Sequence, residues 1–191
     1  GEVIMATSQA GHVVTNGMSY HARNNINANS AMLVQVTTDD IGKGIYDGMN
    51  FQEELERKAF EMGGKNYYAP IQRAIDFVNH KPTTHLGAIK PTYRLGTTYC
   101  DLHDLFPEFI NQALEEGLVA FNRKMNGFLD DHAIMSAVES RSTAPIRILR
   151  NEDCVSTNVN NLYPMGEGAG YDGGIASAAT DGIKRATEWI K

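Results

Sequence analysis

The stretch that decides how this chain is interpreted is YPMGEGAGYDGGIASAA, residues 163–179. Its first residues are typical of a strand, its middle holds five glycines within nine positions, and its alanine-rich end is typical of a helix. Because glycine has no side chain, backbone N–H groups at the start of such a helix can face an anion or an electron-rich edge of a ligand. A tight strand-to-helix connection with incidental glycines fits the same pattern, so spacing alone leaves both interpretations open.

A helix is predicted from the last of these glycines onward. Its predicted inward face is made of small and aliphatic residues, which let a helix lie close on a sheet. The residues of this face are Ile175, Ala178, Ala179, Gly182, Ile183, Ala186 and Ile190. A larger side chain at Gly182 is therefore expected to overfill the contact. Upstream, the alternating run at 145–149 predicts a strand.

Strand signals dominate the first 40 residues. Runs at 3–7 and 12–15 predict two strands of a meander, with a turn at Asn16 and Gly17. The apolar run at 31–36 predicts a strand that is buried on both faces.

Helical spacing begins at Asn50, a predicted N-cap, and stops at the glycine pair 63–64. Apolar residues at i, i+3, i+4 and i+7 within 71–78 predict a second, short helix. The span 80–104 has no clear period and is predicted to be a loop with one strand near Tyr93.

The longest apolar stripe follows Pro107, which suits a helix start, and continues to Gly127. A further short helix is predicted within 131–138. The pattern as a whole predicts a mixed α/β (α+β) fold.

Composition excludes several classes of protein. The 191 residues carry a formal net charge of −6, which argues against a nucleic-acid partner because such binding needs a face rich in Lys and Arg. No apolar run approaches the roughly 20 residues that cross a bilayer, so no membrane partner is expected. The two cysteines form neither a CxxC motif nor a secreted disulfide pattern, and a cytoplasmic location is the simplest expectation.

Histidine spacing does not indicate a metal site. None of the six histidines forms an HxH or HExxH motif. The sequence therefore predicts no metal.

Residues 163–186 resemble the C-terminal FAD motif of flavoproteins with two dinucleotide-binding domains, in which Gly-Glu is followed by Gly-Gly and an alanine-rich helix. Within that superfamily the chain is most similar to a group of bacterial FAD-dependent dehydrogenases. Three further segments carry the resemblance, namely 14–20, 67–72 and 139–148. The GxGxxG fingerprint that such proteins carry in an N-terminal βαβ unit has no counterpart before the glycine-rich stretch of this sequence.

The resemblance implies a flavin site built from two sequence-distant parts, with substrate and catalytic side chains undefined. It places Gly166 and Glu167 near the ribityl-pyrophosphate portion, and the N–H groups of Gly173, Gly174 and Ile175 toward the pyrimidine edge of the flavin. Negative charge placed there by reduction would be stabilised by the helix N-terminus. The cofactor-binding set that the resemblance implies also includes Gly168, Gly170, Ser142, Thr143 and Arg147.

The resemblance also implies a domain organisation. Residues 1–135 would form an insert domain facing a small-molecule substrate, and 136–191 the C-terminal part of a Rossmann-like FAD-binding domain. The chain is accordingly expected to be a C-terminal fragment whose partner is an N-terminal FAD-binding half. Alone, it is expected to retain no FAD, to be inactive and to self-associate. The alternative is a non-enzymatic module that binds a phosphate or carboxylate at the same glycine-rich helix start.

Overall fold

The computed structural model describes residues 1–189. They form two compact units: unit 1 comprises Gly1–Val36 and Glu53–Ser140, and unit 2 comprises Thr37–Gln52 and the chain from Arg141 onward. The strands are β1 (Glu2–Met5), β2 (Thr15–Met18), β3 (Ala69–Arg73), β4 (Thr97–Tyr99) and β5 (Ile134–Ser136). The α-helices are α1 (Thr38–Ile41), α2 (Asp47–Met62), α3 (Ala74–Val78), α4 (Glu108–Lys124) and α5 (Ile175–Trp189), and two 3₁₀ turns lie at Leu102–Asp104 and Glu167–Ala169. The predicted mixed α/β fold is confirmed.

The first sheet of unit 1 is an antiparallel pair, β1 with β2, in register from Glu2 opposite Met18 to Met5 opposite Thr15. The predicted turn at Asn16 and Gly17 is wrong, because both residues lie inside β2. Two-residue turn signals are overridden here by pairing with β1 and by Asn29, whose side-chain amide donates to the carbonyl oxygen of Met18 at 3.0 Å.

The second sheet of unit 1 has the order β4-β3-β5, with β3 parallel to β4 and antiparallel to β5. The helix predicted within 131–138 is wrong, since Ile134–Ser136 forms β5 along the edge of β3. The short helix predicted from Ile71 begins only at Ala74, because Ile71 lies in the central strand and is fully buried. A short apolar run fits the helical period and the strand period equally well. Pairing with β3 therefore determines which of the two structures forms.

The two long helices were predicted more accurately. α2 ends at the predicted glycine pair, where Gly64 has φ 102°, but it starts at Asp47, so Asn50 is not its N-cap. α4 follows Pro107 as predicted and buries Ile110, Leu114 and Leu118. An amphipathic stripe of this length is a strong signal because it repeats over several turns.

Side chains of β3, α3, α4 and the first 3₁₀ turn form the core of unit 1. Phe77, Ile71, Leu102 and Leu105 are all at most 1% exposed. Gln72 lies fully buried among them and is satisfied on both sides, since its amide donates to the carbonyl oxygen of Lys81 and its Oε1 accepts the N–H of Leu102. Buried polar groups are tolerated when they are paired in this way.

Several predicted strands do not form within the described residues. The predicted strand 12–15 contributes only Thr15 to β2, and the residues just before the glycines of 163–179 form no strand. The run 31–36 makes no strand, and Leu33 is 58% exposed rather than buried. The run 145–149 makes no strand either; an isolated bridge joins the next residue, Arg150, to Ser156. Residues with high β-propensity form a strand only where a neighbouring strand supplies hydrogen bonds. Here the N–H of Ile148 donates to the carbonyl oxygen of Ala169, which lies in a 3₁₀ turn and not in a strand.

Helix α5 follows the glycines as predicted, but the described residues of unit 2 leave most of its predicted inward face uncovered. Ile175 is 93% exposed and Ile183 is 68% exposed, while Asp181 is the buried residue among positions 175–187, the part of α5 whose burial is described. A Cβ added to Gly182 would meet no atom within 4 Å, so overpacking there is not expected. No sheet of the described residues in unit 2 covers α5, and Ile190 lies outside the described residues.

Among the described helices, none is both long enough and apolar enough to cross a membrane.

Candidate functional site

The glycine-rich stretch of unit 2 is fastened to α5 at its first glycine. Gly166 is buried with φ 67°, and its N–H donates to Asp181 Oδ2 at 2.9 Å. A Cβ added to Gly166 would stand 3.4 Å from the Cβ of Ala178. Glycine is therefore required here by its positive φ, and the N–H of Gly166 is occupied within unit 2.

A second fixed point lies at Gly170, which closes the 3₁₀ turn Glu167–Ala169. Its φ is 82°, and its N–H donates to the carbonyl oxygen of Glu167 at 2.8 Å. A Cβ added to Gly170 would lie 2.9 Å from the Cα of Arg147 and would also collide with the carbonyl oxygen of Ile146. In the other direction, Arg147 Nε donates to the carbonyl oxygen of Gly170 at 2.8 Å. The glycine stretch and the 146–147 segment are thus in backbone contact.

Arg150 of unit 2 is held by several partners at once. Its guanidinium bonds Asp181 through two parallel contacts of 2.8 and 2.9 Å, and it also donates to the carbonyl oxygen of Pro164 at 2.7 Å. It lies 3.7 Å from the ring centroid of Tyr171. The hydrogen bonds from Arg150 hold the pKa of the Asp181 carboxyl well below its usual range, despite burial, so the pair stays ionised.

The start of α5 is exposed beside these fixed points. Gly173, Gly174 and Ile175 are all exposed. A Cβ added to Gly173 would lie 3.3 Å from Thr143 Cγ2, which places the 142–143 segment next to the helix start. The backbone carbonyl of Gly174 accepts from Ser177 Oγ at 2.9 Å and from the N–H of Ala178 at 2.9 Å. These contacts fix the first turn, whose N–H groups have no intrahelical acceptors.

The structure therefore brings the two predicted site segments together within unit 2. Thr143 lies at Gly173 and Arg147 at Gly170, while Ser142 and Gly168 are exposed and Glu167 is half-buried. The residues that the sequence reasoning missed are Arg150, Tyr171 and Asp181. The sequence did contain one signal for this ion pair. Asp181 is a charged residue next to the small residues of the predicted inward face, and a charge in such a position indicates a buried ion pair.

Unit 1 contains a separate polar cluster that the histidine spacing did not indicate. His103 Nε2 lies 2.8 Å from Glu115 Oε1, and His80 Nε2 lies 3.2 Å from the same oxygen. On its other side, His103 Nδ1 lies 2.9 Å from Asp101 Oδ1. Partial burial disfavours the charged imidazole, but hydrogen bonds to Glu115 and Asp101 outweigh it and raise the pKa of His103.

Comparison with known proteins supports an association with FAD, the cofactor that the sequence resemblance implied. Residues 1–142 match the family described as FAD-dependent protein, C-terminal domain-like. An uncharacterised protein of Clostridium beijerinckii (strain ATCC 51743 / NCIMB 8052) is 45% identical over 192 residues, an alignment that covers 100% of this chain and 36% of the relative. The chain thus spans about a third of the length of this relative. Since the family match covers 142 of the 191 residues, the chain belongs to the FAD-dependent protein, C-terminal domain-like family.

Proposed function

We propose that this chain is the C-terminal part of a longer FAD-dependent oxidoreductase and that it supplies the flavin-proximal half of the FAD site. The observation that carries the proposal is the exposed start of α5, where Gly173 and Gly174 lie beside Thr143 in a chain of an FAD-dependent family. The relative, of which the chain covers 36%, supports the proposal that further sequence belongs to the whole protein.

The residues at the helix start fit a flat, electron-rich ligand edge. Gly173 and Gly174 have no side chain to cover the first-turn N–H groups, and both are exposed. A helix of 15 residues carries partial positive charge at its N-terminus, which stabilises an anionic partner by about 0.3–2 kcal/mol. This is the kind of environment that a flavin pyrimidine edge requires.

Each part of unit 2 then has a defined task. The N–H groups from Gly173 to Ile175 would orient the cofactor and stabilise negative charge on it, and Ser142 and Thr143 would line the same pocket. Glu167, with Gly166 before it and Gly168 after it in the loop, would lie toward the ribityl-pyrophosphate portion. Flavin, when bound, supplies hydride acceptance, so no side chain of this chain has to act as an acid or base.

The remaining glycines and the arginine of the predicted set act through the loop. The N–H of Gly166 is held by Asp181, and Gly170 packs on the backbone of Arg147. Arg147 itself reaches back to the carbonyl oxygen of Gly170 and lies 5.0 Å from the ring centroid of Tyr171. These three residues would fix the shape of the cofactor-binding loop.

The domain organisation follows from the same proposal. Residues 1–135 would be the insert domain that faces a small-molecule substrate, and 136–191 would complete a Rossmann-like FAD-binding domain with an N-terminal half. The exposed face of α5, with Ile175 and Ile183, would then be covered by that half or, in its absence, by a second copy of the chain.

The test is the flavin content of the longer protein carrying Gly174→Val. A β-branched side chain at Gly174 would occupy the space that the cofactor edge needs, so the purified variant is expected to lose most of its visible flavin absorbance. Lys184→Val is the matched control, because it places the same β-branched side chain on α5 at an exposed position on the side opposite Ile175. This control is expected to keep its flavin.

Normal flavin content in a folded Gly174→Val variant would contradict the placement. A longer protein that is colourless but binds phosphate or a peptide carboxylate at the start of α5 would instead support the non-enzymatic module.

A further inference from the structure

Unit 1 contains three metal-ligating side chains that the flavin proposal does not use. The ligand atoms of His80, His103 and Glu115 all lie within 4.8 Å of one another. They come from three separate segments, the turn that follows α3, the first 3₁₀ turn and the middle of α4. We propose that His80, His103 and Glu115 bind one Zn²⁺ ion, with each residue contributing one ligand atom.

The separations of the ligand atoms suit a tetrahedral ion. Zinc holds nitrogen and oxygen ligands at about 2.0–2.2 Å, so neighbouring ligand atoms of a tetrahedral site are about 3.3 Å apart. Glu115 Oε1 lies 2.8 Å from His103 Nε2 and 3.2 Å from His80 Nε2. A small movement of Glu115 relative to His103 would admit an ion between these two residues.

An outer carboxylate orients His103 for this role. Asp101 Oδ1 lies 2.9 Å from His103 Nδ1 and accepts the backbone N–H of His103 at 3.0 Å. When Nδ1 donates to Asp101, the acceptor left on a neutral imidazole is Nε2, which faces Glu115. A carboxylate–histidine pair of this kind is the usual outer support of a metal-binding histidine.

Two of the three ligands are held by the core of unit 1. The ring of Phe77 stacks on His103 with centroids 4.2 Å apart and planes 14° apart. One turn before Glu115 on α4, the buried side chain of Asn111 donates to the carbonyl oxygens of His103 at 3.1 Å and Phe106 at 3.2 Å. The distance between His103 and Glu115 is therefore fixed before any ion arrives, which lowers the cost of ordering the site.

The third ligand is the exposed one. The His80 side chain is 66% exposed and stacks on His103 with ring centroids 4.5 Å apart. Parallel rings cannot both direct their Nε2 lone pairs at one ion, so coordination requires the His80 ring to turn, which its exposure allows. Three protein ligands leave the fourth position to water, because the side of the cluster at His80 faces solvent.

The proposal is tested by titrating Zn²⁺ into the full 191-residue chain by isothermal calorimetry and by recording the visible spectrum with Co²⁺. We expect saturable one-to-one binding and the absorption bands of four- or five-coordinate cobalt. His80→Ala and Glu115→Gln should each weaken binding by at least about tenfold, and Asp101→Asn by about 10–100-fold with unchanged stoichiometry. His21→Ala, which removes an exposed histidine elsewhere in unit 1, is the control and should leave binding unchanged.

His103→Ala removes a ring that packs on Phe77 and would be uninformative if it failed to fold. His80→Ala decides the matter in that case, since His80 is exposed. Absence of saturable binding, or one-to-one binding with the same affinity in both His80→Ala and Glu115→Gln, would overturn the proposal.

Discussion

Arg150 and Asp181, 31 positions apart, form a two-pronged ion pair whose side chains are each 9% exposed. The pair joins the segment after 145–149 to the middle of α5. Asp181 in turn accepts the N–H of Gly166, so one carboxylate connects three parts of unit 2. The glycine-rich loop is thereby held at a fixed distance from the helix whose start we propose to face the flavin.

Replacing Asp181 by Asn should therefore strongly destabilise unit 2. The change leaves the Arg150 guanidinium buried without its counter-charge, and breaking a buried pair from one side costs about 3–5 kcal/mol. Chemical denaturation of the chain, followed by the fluorescence of its tyrosines and its tryptophan, measures the loss. Asp153→Asn, which changes an exposed carboxylate of unit 2, serves as the control. A loss below about 1 kcal/mol in Asp181→Asn, the range of a surface pair, would show that this pair is solvated.

Acid should weaken unit 2 through the same carboxylate. Because Arg150 lowers the pKa of Asp181 in the folded state, the unfolded state takes up the proton first as the pH falls. The contribution of Asp181 is fully present above the unfolded pKa of about 4 and is lost progressively as the pH falls below it toward the folded pKa. Denaturant midpoints measured between neutral pH and about pH 2 should fall more steeply for the parent chain than for Asp181→Asn. Parallel pH profiles would assign the acid sensitivity to other groups.

Two glycines of unit 2 should respond oppositely to alanine. Gly170→Ala is expected to destabilise by more than about 1–2 kcal/mol, since the left-handed φ of 82° is costly for alanine and the new methyl group meets the backbone of Ile146 and Arg147. Gly182→Ala is expected to stabilise by up to about 1 kcal/mol, because the site is helical with open space. Thermal unfolding of both variants tests this contrast. Equal and small effects at the two positions would mean that the loop does not hold the conformation of Gly170 in solution.

The 191-residue chain alone should bind FAD weakly. In two-part flavin sites the ADP portion is held by a glycine turn and an acidic residue of the first βαβ unit. The GxGxxG spacing of this sequence, Gly168 to Gly173, follows no strand directly in the described residues and so is not part of such a unit. A single helix N-terminus contributes about 0.3–2 kcal/mol, whereas a micromolar complex requires about 8 kcal/mol. Titration of FAD into the chain, read by quenching of flavin fluorescence, is the measurement. Tight stoichiometric quenching would show that the nucleotide site lies within these residues.

Features that depend on neighbours along the chain were predictable from the amino-acid sequence. The stripe of α4 and the glycine stop of α2 were predictable because they repeat over turns or require positive φ. The glycine-rich loop before α5 was predictable as well, because two of its glycines have the positive φ that favours this residue. The resemblance carried by 163–186 indicated a flavin protein, and the match of residues 1–142 supports the FAD association from a different part of the chain.

Tertiary structure alone decided what pairs across distance. Whether 134–136 becomes strand or helix depended on the free edge of β3, and the exposure of Ile183 depended on which surface covers α5. Two sets of side-chain contacts join residues that are 12 to 35 positions apart in the chain. One set is Arg150 with Asp181, and the other is His80, His103 and Glu115. No local propensity encodes such contacts, because they form only when the chain has paid the entropy of closing the loops between them.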